Sequence, residues 1–113
     1  MIATLVALAE PNRLRIVEFL RGGPRSVGEI GVRLRLRQPQ VSKHLRVLKE
    51  AGLVESQTDA QRRLYELRPQ GLFELDAWLD PYRRYWTQRL DALERRLEAT
   101  DERRRKRRER RRK

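Results

Sequence analysis

Two short helical patterns follow one another between Ser26 and Gly52, joined by only about four residues. The first opens on Ser26-Val27-Gly28-Glu29, where the Ser hydroxyl and the Glu carboxylate can each satisfy a backbone donor at a helix start. It sets Val27, Ile30 and Leu34 inward. The second opens on Gln38-Pro39-Gln40, carries Val41, Leu45 and Leu48 along one stripe, and stops at Ala51-Gly52. Helices joined this tightly are neighbours in space, and their apolar sides must share a core.

The flanking segments limit the arrangement further. Upstream, Ile2, Leu5, Val6 and Ala9 recur at helical spacing. After Pro11, at a first-turn position, Leu14, Ile16, Val17 and Leu20 do the same until Gly22-Gly23 ends the run. Downstream the period changes: Leu53-Val54, a polar turn around Asp59-Ala60-Gln61-Arg62, and Leu64-Tyr65-Glu66-Leu67 predict two short strands of a hairpin. From Leu72 the helical period returns, with Leu79, Tyr82, Trp86, Leu90, Leu93 and Leu97 forming one apolar stripe. Asp80-Pro81 interrupts this stretch and predicts a kink, or a restart with Asp80 as N-cap. The predicted fold is mostly α with a small β-hairpin, in the order α-α-α-α-β-β-α. One domain covers residues 1–101, and an Arg-rich basic tail occupies residues 102–113.

Charge and residue inventory narrow the function. The chain holds 28 Lys and Arg against 16 Asp and Glu, and no Cys. Residues 1–101 carry a net +4 and residues 102–113 a net +8. Such a balance suits a polyanion as partner. Without Cys there is no disulfide framework, thiolate nucleophile or soft metal site. Catalysis is not expected: His44 is the only histidine, and there is neither a glycine-rich phosphate loop nor a carboxylate pair with a partner base. Asp76 and Asp80 share a helix face but have no histidine beside them, so neither a metal nor another cofactor is expected. The apolar run at residues 2–9 is too short to span a bilayer and lacks the marks of a signal peptide. A cytoplasmic protein with no membrane contact is expected.

Helix, helix, capped helix, tight turn, second helix and hairpin, in that order, make a helix-turn-helix followed by a wing. This plan presents one helix to the DNA major groove. The residues that carry it are Ala7-Leu8-Ala9-Glu10-Pro11-Asn12-Arg13-Leu14-Arg15-Ile16, Ser26-Val27-Gly28-Glu29-Ile30, Gln38-Pro39-Gln40-Val41-Ser42-Lys43-His44-Leu45-Arg46-Val47-Leu48 and Ala51-Gly52-Leu53-Val54. In these the chain resembles the ArsR-type (ArsR/SmtB-like) winged helix-turn-helix transcriptional regulators, and in its last helix the branch of that family without a metal site. The resemblance implies a bacterial or archaeal homodimer, associated through its terminal helices at the nucleoid. It further implies repression from an inverted-repeat operator, and autoregulation is common for such regulators. Three positions depart from the family pattern: Glu10 stands for the usual Asp, Arg35 for a turn glycine and Arg37 for a capping Ser.

Opposite the stripe of the second helix in the motif lie Pro39, Lys43 and Arg46, flanked by Gln38, Gln40 and Ser42. Gln38, Gln40 and Ser42 are the candidates for base edges, and Lys43, His44 and Arg46 for the phosphates of double-stranded DNA. His44 has a second reading as a structural hydrogen-bonder. Arg62 and Arg63, near the hairpin turn, are placed to reach a minor groove or its phosphates, or are ordinary surface charge. Leu5, Trp78, Tyr82, Trp86, Leu90 and Leu93 are the candidate dimer interface; for the aromatic cluster, which includes Tyr85, core packing or a small hydrophobic effector are the alternatives. The tail reads as a sequence-independent DNA contact, a solubilising segment or an idle helix end. A non-specific basic nucleic-acid binder is the rival to a sequence-reading regulator.

Overall fold

The computed structural model describes residues 1–112. The elements in order are α1 (Ile2–Leu8), α2 (Pro11–Leu20), β1 (Arg25–Ser26), α3 (Val27–Leu34), α4 (Gln38–Glu50), β2 (Val54–Asp59), β3 (Arg62–Leu67) and α5 (Pro69–Arg112). The chain divides into two compact units, Met1–Ala77 and Trp78–Lys113, and α5 passes from one into the other.

Helix α2 begins where Glu10, in extended conformation, accepts a 2.8 Å hydrogen bond from the Arg13 backbone N–H, with Pro11 next in the chain. Glu therefore still caps where the family commonly has Asp. The Arg13 side chain turns back and donates to the carbonyls of Ala7 (2.7 Å) and Val6 (3.3 Å) at the end of α1, where helical donors run out; Val6 also accepts from the Ala9 N–H at 3.3 Å. Helix α3 starts with the expected capping box: the Glu29 N–H donates to Ser26 Oγ (3.2 Å), and the Ser26 N–H donates to Glu29 Oε1 (3.4 Å). It ends at Arg35 in the left-handed region (φ 58°, ψ 44°), and Arg15 donates to the Leu34 carbonyl at 3.3 Å.

The core of the first unit joins Ala7, Ile16, Val17, Leu20, Ile30, Leu34, Val41, Leu45, Leu48, Leu53 and Val54. The stripes expected of α2, α3 and α4 thus meet one another, except that Leu14, expected on the stripe of α2, is left exposed. Gly31 sets how closely α3 approaches the turn: a Cβ there would lie 3.0 Å from the Leu36 carbonyl oxygen. Gly71 plays the same part at the start of α5, where a Cβ would stand 3.1 Å from Leu53 Cδ2 and 3.2 Å from the Gly52 carbonyl oxygen.

Two sequence expectations are corrected. The hairpin is part of a three-stranded antiparallel sheet in the order β1-β3-β2, with Arg25 opposite Tyr65 and Ser26 opposite Leu64. A two-residue strand is too short to show an alternation, and Ser26 was already accounted for as a cap. The extended backbone that an N-cap needs also lets it pair with β3. In the hairpin itself the register runs from Val54 opposite Leu67 to Asp59 opposite Arg62, leaving Ala60 and Gln61 as the turn.

The second correction concerns Pro81. Helix α5 runs through it without a restart, and Asp80 serves as an ion-pair partner, its carboxylate 2.6 Å from Arg84 Nη2. Proline there removes a single intrahelical donor, and the long flanking helical segments outweigh that loss. The Arg-rich segment continues the same helix, which spans 44 residues, about 66 Å at 1.5 Å per residue. Among the described residues no helix is long and apolar enough to cross a membrane.

Candidate nucleic-acid interface

Helix α4 has two opposed sides. Val41, Leu45 and Leu48 are buried, whereas Gln38, Gln40, Ser42, Lys43 and Arg46 are exposed. This follows from the 3.6-residue period once the stripe is buried. The five exposed residues lie together on one helix, as expected, directly after the short turn that carries Arg35 and Arg37, both also exposed. The positive end of the α4 dipole therefore coincides with a basic turn, an arrangement that attracts phosphate.

Two of the candidates on α4, Gln40 and His44, have partners within the protein. The Gln40 side-chain oxygen accepts from the Arg37 backbone N–H at 3.1 Å and so caps the first turn of α4. The Arg37 side chain makes no cap, because a guanidinium offers donors only. A Gln at the third helical position was the sequence signal for this role. His44 is half-buried, with Nδ1 3.8 Å from the Glu10 carboxylate at the cap of α2. That edge of the ring faces protein.

The wing places Arg62 and Arg63 on consecutive, hence opposite, sides of β3, both exposed. Arg62 Nη1 lies 3.9 Å from Glu29 Oε1, and Arg25 Nη1 lies 3.7 Å from Glu29 Oε2. Hydrogen bonds from the Ser26 N–H and hydroxyl hold the Glu29 carboxyl below its ordinary range against slight desolvation, and Arg62 and Arg25 add to the lowering. The pair joining α3 to the wing was not legible in the sequence, because only the sheet register brings residues 29 and 62 together. Lys49 Nζ, 3.2 Å from Ser56 Oγ, joins α4 to β2 in the same way.

The candidate interface residues on the terminal helices are exposed. Helix α1 buries Thr4 and Ala7 and leaves Ile2, Leu5 and Val6 on the surface. In α5, Trp78, Tyr82, Tyr85, Trp86, Leu90, Leu93 and Leu97 are all exposed, Trp86 at 57%. The Trp78 and Tyr82 rings lie 5.0 Å apart, centroid to centroid, and tilted by 43°. The aromatic cluster is therefore no part of a core within the chain. Among the described residues no group of three or more His, Cys, Asp or Glu is placed to hold a metal ion.

Known proteins share this arrangement. A helix-turn-helix domain family matches residues 8–57. The HTH-type transcriptional regulator Rv2034 of Mycobacterium tuberculosis is 46% identical over 84 residues, covering 74% of this chain and 76% of the relative. The HTH-type transcriptional regulator YgaV of Escherichia coli is 37% identical over 78 residues, covering 68% and 79%. Among solved structures, the ArsR-like transcriptional regulator of Rhodococcus sp. RHA1 superposes with a TM-score of 0.66 at 26% identity, over 80% of this chain and 86% of that one. The homodimeric winged helix-turn-helix DNA-binding domain Mb0332 of Mycobacterium bovis superposes with a TM-score of 0.60 at 29% identity, over 71% and 74%. With the order of elements, the buried stripe of α4 and the wing already in place, these likenesses show that the chain belongs to the ArsR family of winged helix-turn-helix transcriptional regulators.

Proposed function

We propose that the protein is a homodimeric repressor that reads an inverted-repeat operator through α4 in the major groove, and that its own upstream DNA holds one such operator. The observation that carries this reading is the division of α4 into a buried apolar stripe and an exposed face of Gln38, Gln40, Ser42, Lys43 and Arg46. Gln38 and Ser42 read base edges, and Gln can pair bidentately with adenine. Gln40 reads through its amide N–H groups while its oxygen caps the helix. Lys43 and Arg46 contact the phosphates, with His44 contributing through its free edge. Arg63 and Arg62 carry the wing to the adjacent minor groove or its backbone.

Dimerisation supplies the symmetry that an inverted repeat matches, with half-sites roughly 34–36 Å apart per helical turn. Leu5 on α1 and, in the second unit, Trp78, Tyr82, Trp86, Leu90 and Leu93 on α5 each face the partner, since exposed apolar side chains in this number are costly unless a second copy covers them. The working compartment is the cytoplasm, at the nucleoid. Neither a cofactor nor an effector is assigned.

Fluorescence anisotropy with the DNA upstream of the protein's own gene, against a scrambled duplex at two salt concentrations, tests the proposal. A preference of roughly 10³ or more for the upstream DNA is the expected result. Equal binding to both duplexes, falling steeply with salt, overturns it in favour of a non-specific polyanion binder.

A further inference from the structure

We propose that residues 103–112 form a basic helical arm that holds the phosphate backbone of duplex DNA without reading its sequence, separately from α4 and the wing. The inference rests on the regulator reading for the identity of the polymer, and on charge and structure for the rest.

The character of α5 changes along a single unbroken helix. Residues 78–101 hold five basic and five acidic side chains beside the apolar stripe, a surface suited to a second protein chain. After Ala99 no apolar residue occurs, and nine of the ten residues from 103 to 112 are Arg or Lys. All ten are helical and exposed. No core packing stabilises this end, and helices in water depend chiefly on packing.

The charge pattern works against the helix as well. At i,i+4 spacing Arg103 meets Arg107, Arg104 meets Arg108, and Arg107 meets Arg111, with Arg105 and Glu109 the one opposed pair in this decade. A linear polyanion laid along the arm removes that repulsion and releases its own counterions. Because cations surround the helix on every side, the arm can follow a backbone from any approach but presents no defined face to base edges. An anionic membrane surface is a poorer occupant, because the arm has no apolar side to bury in it.

The test compares the full chain with a variant carrying Gln at Arg103, Arg104, Arg107, Arg108, Arg110 and Arg111, and with a second carrying Lys at the same six positions. Each binds a random-sequence DNA duplex, the operator-bearing duplex and a double-stranded RNA of equal length across a salt series. Sedimentation confirms that the oligomeric state is unchanged. In the Gln variant the slope of log affinity against log salt should fall by about 0.9 for each cation that sat on a phosphate. Affinity for both DNA duplexes should drop by the same factor, leaving their ratio intact, and the Lys variant should behave as the parent.

An unchanged slope in the Gln variant overturns the arm, and tighter binding of RNA than DNA by the full chain overturns its assignment to DNA. A full chain that shows no operator preference while keeping its salt slope sinks the regulator reading instead, so the two failures are distinguishable.

Discussion

Arg35 holds φ 58° and ψ 44°, a left-handed conformation at the end of α3 where the family commonly has glycine. For an L-residue that geometry costs roughly 1–2 kcal/mol, partly offset because glycine loses about 0.5–1 kcal/mol more on ordering. Arg35→Gly should therefore stabilise the protein by about 0.5–1 kcal/mol, read as a higher urea midpoint at unchanged slope. It should also weaken DNA binding, since it removes a cation from the turn before α4. A lower midpoint refutes the strain argument. Glu29 makes a different prediction at the same scale. Its folded-state carboxyl is lowered by the Ser26 hydrogen bonds, with Arg62 and Arg25 beside it. The stability it contributes is therefore full above the unfolded value, about 4.3, and is lost as pH falls through the folded value. The Tm gap between the parent and Glu29→Gln should close on acidification from about pH 6 to about pH 3; a gap that widens contradicts the linkage.

Helix α4 has to start cleanly and, in the function proposed above, also to present its first turn to DNA; Gln40 serves the first end and is proposed for the second. Its oxygen accepts from the Arg37 N–H, at a helix start whose cap residue has no acceptor of its own. Gln40→Glu keeps that acceptor and adds negative charge at the positive end of the helix, worth about 0.3–1 kcal/mol, but the same charge repels phosphate. We expect thermal melts to show equal or greater stability while anisotropy shows weaker operator binding. Gln40→Ala should instead lose about 0.5 kcal/mol as the Arg37 N–H is left to water. If the Glu variant loses stability and binding together, capping and recognition are not separate duties of this residue.

Across the whole molecule, one chain leaves two sets of large apolar side chains without cover: Ile2, Leu5 and Val6 on α1 in the first unit, and Trp78, Tyr82, Trp86, Leu90 and Leu93 on α5 in the second. Trp86 is 57% exposed, so Trp86→Ala creates no cavity in the chain's own core. Its effect should fall on association: the dimer Kd measured by sedimentation should rise tenfold or more, about 1.4 kcal/mol, with operator affinity falling in parallel and the fold of residues 1–77 retained. A variant whose dimer Kd and operator affinity both match the parent's would show that the stripe serves another purpose.

Local pattern alone determined most of the framework. The apolar stripes of α2, α3 and α4, the Ser26–Glu29 capping box, the hairpin and the exposed face of α4 all follow from residues within a few turns of one another, where spacing dictates which side chains share a face. What escaped the sequence depends on residues far apart in the chain or on competition between terms. The third strand exists because residues 25 and 26 meet residues 65 and 64 across the fold. Glu29 meets Arg62 for the same reason, and His44 turns one ring edge toward Glu10 across two helices. The passage of α5 through Pro81 was a contest between one missing hydrogen bond and a long helix on either side, which a local rule read as a kink or a restart. Periodicity also located the aromatic stripe of α5, but periodicity is the same for a side chain buried in its own core and one left on the surface. Only the tertiary structure separated them, because burial is a property of the space around a residue and not of its spacing along the chain.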